Sequence, residues 1–273
     1  MPQTDRPEPY VPRLGIVYPD SPDAHMETRK GERVNELVVD EHYPFLDRSF
    51  GFRFWSALLY LGIFVLVFTV SPIRFGLRIE GRKILKKYRG LLRDGAMTVS
   101  NHTLRWDLLM VLQAVRFRRL YFPAWKENLA GPDKDLIRLA GGIPVPSSVH
   151  AMKKFNQAFD ELRRKKKWVH VFPEGSNWHY YHFIRPFKKG MFTMAYNYNL
   201  PVIPMAFSYR EPTGLYRLFK KGYPLITLRI GEPILPDRSK PRREAAALLR
   251  AQTHRRIVEL AGLNANPFPC EGD

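Results

Sequence analysis

His102 and Asp107 stand five positions apart in the segment Ser100-Asn101-His102-Thr103-Leu104-Arg105-Trp106-Asp107. An imidazole held against a carboxylate can do general-base chemistry. The ring takes a hydroxyl proton, while the carboxylate fixes its tautomer and stabilises the imidazolium that forms. Transfer of an acyl group to an alcohol needs such a pair and no protein nucleophile. In one continuous helix, five positions turn through about 140° and put the two side chains on different faces. A strand-to-helix turn instead lets the chain fold back, so that carboxylate meets imidazole. The same spacing also fits a helix N-cap aspartate beside an unrelated loop histidine.

A second chemical segment follows some seventy residues later, at Val171-Phe172-Pro173-Glu174-Gly175-Ser176. It reads as a strand ending in a tight turn, where Gly175 can bring the backbone close to a ligand and Glu174 offers a carboxylate. Beyond it come Arg185-Pro186-Phe187-Lys188-Lys189-Gly190 and Val202-Ile203-Pro204-Met205-Ala206.

In this order, N-H-x4-D, F-P-E-G, P-F-K-x-G and V-I-P-x-A resemble the motifs of the glycerolipid acyltransferase family, whose familiar activity is acylation of 1-acylglycerol 3-phosphate. The resemblance covers roughly Arg78 to Pro233 and lies in the combination, each motif being short. It implies that His102 is the general base and Asp107 its partner, and that Asn101, Glu174, Gly175 and Ser176 belong to the substrate-binding turns. Lys126 matches the lysine that starts the family's second block, and Gly141-Gly142-Ile143-Pro144-Val145 matches that block's end. Two positions depart from the pattern. Ser147 and Asn177 stand where the family usually has the arginines expected to hold the acceptor's phosphate. Arg185, with a planar fork of donors, is the best candidate to meet the phosphate in their place, and Lys188 is a second candidate acting as a point charge.

These residues need elements to position them. Short apolar runs at Ala96–Ser100, Trp168–Phe172, Val202–Ser208 and Leu225–Ile230 read as strands. Met152, Phe155, Phe159 and Leu162 recur at helical spacing, Asp107–Phe117 reads as a helix opening on an acidic residue, and Glu244–Ala261 as a closing helix. The alternation predicts an α/β domain over residues 76–273, with a mixed central sheet flanked by helices.

Ahead of it, the segment 51–75 holds the one long uncharged stretch, between Arg53 and Arg74. Its core, Phe54 to Val70, reads FWSALLYLGIFVLVFTV. A helix across this stretch reaches roughly 30 Å, the thickness of a bilayer's hydrocarbon core. It is expected to contact the membrane, either spanning it or lying in the interface; a buried core helix is the alternative. Aromatic residues crowd its start (Phe45, Phe50, Phe52, Phe54, Trp55), and Arg74 and Arg78 follow it, which by the positive-inside tendency puts the catalytic domain on the cytoplasmic face. Residues 1–50, rich in proline and charge, are expected to be an extended, partly disordered arm.

The formal charge is +18, and it is unevenly placed: residues 1–53 hold ten acidic and seven basic residues, whereas 71–273 hold sixteen and thirty-seven. Such a surface attracts nucleic acid, anionic lipid or acidic protein. Nucleic acid explains neither the apolar stretch nor the motifs, so the expected partners are membrane lipids, a lysophospholipid substrate, and acyl carrier protein or acyl-CoA as the thioester co-substrate. No cofactor is expected. The single cysteine, Cys270, excludes an intrachain disulfide, and His179 with His182 lacks the cysteines or carboxylates that would complete a metal site.

Overall fold

The computed structural model describes residues 9–26, 37–116, 118–146, 148–220 and 222–269. The expected arm falls partly outside these, at 1–8 and 27–36, as do Ser147 and Cys270.

Seven strands form one mixed sheet: β1 (Arg78–Glu80), β2 (Met97–Ser100), β3 (Leu120–Ala124), β4 (Gly142–Pro144), β5 (Trp168–Val171), β6 (Val202–Arg210) and β7 (Leu225–Ile230), in the order β1-β7-β6-β2-β5-β3-β4. β6, β2, β5, β3 and β4 run parallel, while β7 pairs antiparallel with β6 and carries β1 parallel to itself. Parallel strands need crossovers, and these put helices on both faces, so β2 and β5 are buried throughout. Val169 and Val171 face a core formed with Phe155, Phe159 and Leu162 of α5 (Val149–Arg164) and Leu249 and Ile257 of α8 (Arg242–Ala261). Trp168 faces the other core, with Met110 and Leu112 of α3 (Asp107–Ala114) and Ile63 and Val67 of α1 (Phe50–Phe75).

The four expected strands and three expected helices are present, Leu225–Ile230 with the expected ends and the others with one or both ends shifted. α3 stops three residues before Phe117 because Arg116 takes a left-handed conformation (φ 60). In α5, Phe155, Phe159 and Leu162 are buried, but Met152 is exposed. The strands that pattern reading missed are β1 and β4, three residues each, and β3, which contains Pro123. So short a run shows no period, and proline is a poor strand signal.

α1 lies along the catalytic domain. Its buried residues Ser56, Ile63, Val67, Ser71 and Phe75 form one stripe, and Phe54, Trp55, Leu58, Leu61, Phe64, Val65 and Phe68 are exposed on the rest of its surface. Ser56 Oγ donates to Leu139 O at 2.6 Å and Tyr60 OH to Ala140 O at 2.8 Å. At its other end Pro72 O accepts from Tyr216 OH and Arg74 O from Lys220 Nζ, each at 2.6 Å. It is the one described helix long and apolar enough to cross a membrane.

Candidate active site

β2 and β5 are parallel neighbours, so the loops after them leave from the same edge of the sheet, where open α/β sheets place their ligand crevices. Asn101 carries the β2 ladder one step further. Its side-chain amide donates to Phe207 O at 3.1 Å and accepts from Phe207 N at 2.8 Å, imitating a peptide group against β6. Both polar ends of this candidate binding residue are therefore spent on backbone, and the side chain is buried.

The chain then turns, and Asp107 at the start of α3 folds back as a strand-to-helix turn allows. Its Oδ2 accepts from Leu104 N at 2.8 Å and from Thr103 N, and lies 3.0 Å from His102 Nδ1. The carboxylate is fully buried and the imidazole about one-fifth exposed. Backbone N–H groups hold the carboxylate in place, so it orients the ring rather than the reverse. With Nδ1 committed to Asp107, Nε2 is left as the nitrogen for chemistry. The ring stacks on Phe172, centroids 3.9 Å apart and planes 14° from parallel.

Beneath Phe172 lies His170, wholly buried and edge-on to it at 4.3 Å, with Nδ1 2.9 Å from Thr98 Oγ1 on β2. Burial, and secondly the charge on His102, lower its pKa to about 3. It stays neutral, so His102 has no cationic neighbour there. Pattern reading overlooked it as one letter of an apolar strand.

Glu174 is also buried, and its carboxylate ties three segments together: Oε2 accepts from His102 N at 3.1 Å and from Arg185 Nη2 at 3.2 Å, and Oε1 from Arg185 N at 2.9 Å. Burial pushes its carboxyl above the usual range, against the pull of the Arg185 guanidinium and the two backbone donors. The Gly175 position favours glycine because its φ is +82, and the end of the exposed Lys188 side chain lies over it, with Cε 2.9 Å from where a Cβ would sit. Lys188 is exposed, with its ammonium 5.5 Å from the Trp125 ring centroid. Lys126, next to Trp125 in the turn after β3, is exposed at this same edge of the sheet.

Arg185, expected to reach the site from a loop, is only 1% exposed. Its Nη1 donates to Ser176 Oγ at 3.1 Å and to Pro22 O at 3.0 Å, and its Nη2 to Glu174 and to Ser176 O. The Nε donor is buried without a partner. The guanidinium lies over Trp178, 4.5 Å from the ring centroid, and Trp178 N donates to His102 O at 3.1 Å. The aromatic loop Asn177–Ile184 thus packs on the turn that carries His102. Among the described residues, no group of three or more His, Cys, Asp or Glu is placed to hold a metal ion.

Residues 77–208 match the family model described as Acyltransferase. Among solved structures, the chain is similar to the 1-acyl-sn-glycerophosphate (LPA) acyltransferase PlsC from Thermotoga maritima. The identity is 20% and the TM-score 0.46, with 77% of this chain and 84% of that one covered. No curated protein matches the sequence. The matched span holds both the His102–Asp107 pair and the Glu174 turn, and over that span the chain is similar to the acyltransferase family.

Proposed function

We propose that this protein is a membrane-bound acyltransferase that moves a fatty acyl chain from a thioester onto the hydroxyl of a lysophospholipid. The acceptor is 1-acylglycerol 3-phosphate, the product phosphatidic acid, and the setting phospholipid biosynthesis. The carrying observation is the His102–Asp107 contact at 3.0 Å, with Nε2 left for a substrate hydroxyl. The donor is acyl-ACP or acyl-CoA, and no cofactor takes part.

The hydroxyl oxygen attacks the thioester carbonyl carbon as Nε2 takes its proton, and Asp107 stabilises the imidazolium. When the tetrahedral oxyanion collapses, the C–S bond breaks, and the thiolate leaving group recovers the proton from the ring. Atoms balance without a covalent enzyme intermediate. Arg185 supports a phosphate-bearing acceptor: it is a buried guanidinium one carboxylate away from the His102 backbone, with an unsatisfied donor. The fully assembled pair argues against a non-catalytic lipid-binding role.

For the membrane, the stripe that fastens α1 to the domain, together with its bonds at both ends, supports an interfacial helix lying in the plane of the cytoplasmic leaflet. A second acceptor, such as an amino-acid lipid, is favoured by Asn177 and Ser147, which stand where phosphate-binding arginines are usual. The decisive experiment incubates the purified full chain, in neutral-detergent micelles, with labelled acyl-ACP or acyl-CoA and a panel of lysolipids. Phosphatidic acid is the expected product. Acylation only of acceptors without phosphate overturns the acceptor assignment and selects the second reading.

A further inference from the structure

Residues 9–26 have no helix or strand, yet they are laid in order over the loop that follows β5. From Tyr10 to Tyr18 the even-numbered residues are half-buried and the odd-numbered exposed, as in a chain resting on a surface, and the chain then turns at 21–24, where Ala24 N donates to Ser21 O at 3.0 Å. Tyr18 donates its hydroxyl to His179 O at 2.9 Å, and its ring packs on Trp178 and on Tyr181. His25 meets Trp125 edge-on at 4.4 Å. Between these two anchors the backbone presents two carbonyl oxygens to side-chain donors. Pro22 O accepts from Arg185 Nη1 at 3.0 Å, and Ala24 O accepts from Trp178 Nε1 at 3.0 Å and from Ser176 Oγ at 3.3 Å.

Three donors of different residues converging on two oxygens, one of them from a buried guanidinium, are the arrangement an anionic oxygen cluster would meet. The carbonyls satisfy it incompletely. Each brings only a partial negative charge, and the buried Nε of Arg185 has no partner. The donors stand beside the catalytic turn, since Glu174 Oε2 bonds both His102 N and Arg185 Nη2. The segment is also lightly held. None of residues 9–26 is fully buried, so lifting it off exposes little core.

We infer that residues 18–26 are a strap occupying the acceptor's anionic-headgroup subsite, with the Pro22 and Ala24 carbonyls standing in for phosphate oxygens. Strap docking and acceptor binding are then mutually exclusive. The inference rests on the proposed use of a phosphate-bearing lysolipid. On release of the strap, the phosphate takes over the Nη1, Ser176 hydroxyl and Trp178 indole donors and supplies a partner for Nε. The competent state is only a fraction of the molecules, and apparent affinity falls by that fraction.

The test uses Tyr18→Ala and His25→Ala in the full chain, each removing one anchor and no proposed catalytic or headgroup contact. KM for 1-acylglycerol 3-phosphate in neutral-detergent micelles is expected to fall by about three- to tenfold, with kcat and the KM of the acyl donor little changed. Damage to a merely structural contact would raise KM or lower kcat. Tyr18→Phe, which loses only the bond to His179 O, should show a smaller fall in the same direction. Hydrogen exchange of the wild type supplies a readout that does not depend on folding of the variants. Amides of residues 18–26 should exchange faster with 1-acylglycerol 3-phosphate in the micelles than with neutral micelles alone. If phosphate-bearing acceptors are used but KM stays the same or rises in both alanine variants, or if the strap amides become better protected, the strap is overturned and the acceptor reading stands. A wild type that acylates only acceptors lacking an anionic group overturns both.

Discussion

The imidazole of His102 is useful because everything around it is fixed. Asp107 is held by backbone donors and Phe172 supports the ring face. Replacing His102 by Ala should lower kcat by about 10² to 10⁴ with the fold intact. Asp107→Asn should be severely impaired, because an amide can stabilise the wrong imidazole tautomer. Near-normal turnover of a folded His102→Ala protein would remove the mechanism. His170 gives a prediction about stability. Its pKa is about 3 in the folded chain, below the ordinary 6.5, so between these values the unfolded chain binds the extra proton. Its contribution is therefore intact above pH 6.5 and is lost as pH falls towards 3, with a slope of up to about 1.4 kcal/mol per pH unit. Urea midpoints measured across this window should fall less steeply for His170→Gln than for the wild type, and parallel curves would count against the assignment.

At the scale of elements, the strand ends and α1 carry the argument. β2 and β5 bring the His102 and Glu174 turns to one edge because they are adjacent and parallel. The orientation of α1 follows from its fastening: Ser56 and Tyr60 bond the α4 and β3 region (α4, Lys134–Leu139), and Pro72 and Arg74 bond α7 (Leu215–Phe219) and Lys220 beyond it. At about 1.5 Å per residue such a helix is long enough to cross a bilayer, but crossing would require most of that fastening to be broken. Single cysteines at Glu41 and Arg217, in a chain with Cys270→Ser, report on the two ends. An impermeant thiol reagent applied to sealed vesicles with the cytoplasmic face outward should label both positions. Labelling of Arg217→Cys alone would show that the helix spans.

At the scale of the molecule, a chain of net charge +18 with an apolar helix face has two ways to hold a lipid surface. Electrostatic attraction fades as salt rises from about 0.1 M to 1 M, since the screening length falls from about 10 Å to 3 Å. Apolar insertion does not. Sedimentation with vesicles rich in anionic lipid should therefore show only partial release of the wild type by high salt. Full release is expected for a variant with Leu61→Asp, Phe64→Asp and Phe68→Asp, all exposed on α1. Equal retention of both at high salt would place the attachment elsewhere.

What the sequence by itself determined is local or collective. The pairing of His102 with Asp107 is legible because a turn of six residues closes it, and the central strands because burial on both faces writes them as apolar runs. The apolarity of α1 says that it leaves water, but not which side it turns to what. Tertiary structure decided the rest. Pattern reading placed Arg185 towards the acceptor site, and only the fold shows its guanidinium buried against Glu174 and capped by Pro22, 163 positions away. Leu14, Ile16 and Tyr18 alternate along a half-buried face of the N-terminal segment, a signal obscured by the flanking prolines. Such contacts are invisible in a linear pattern because composition states that a surface is sticky, while only the packed chain states which surface it meets.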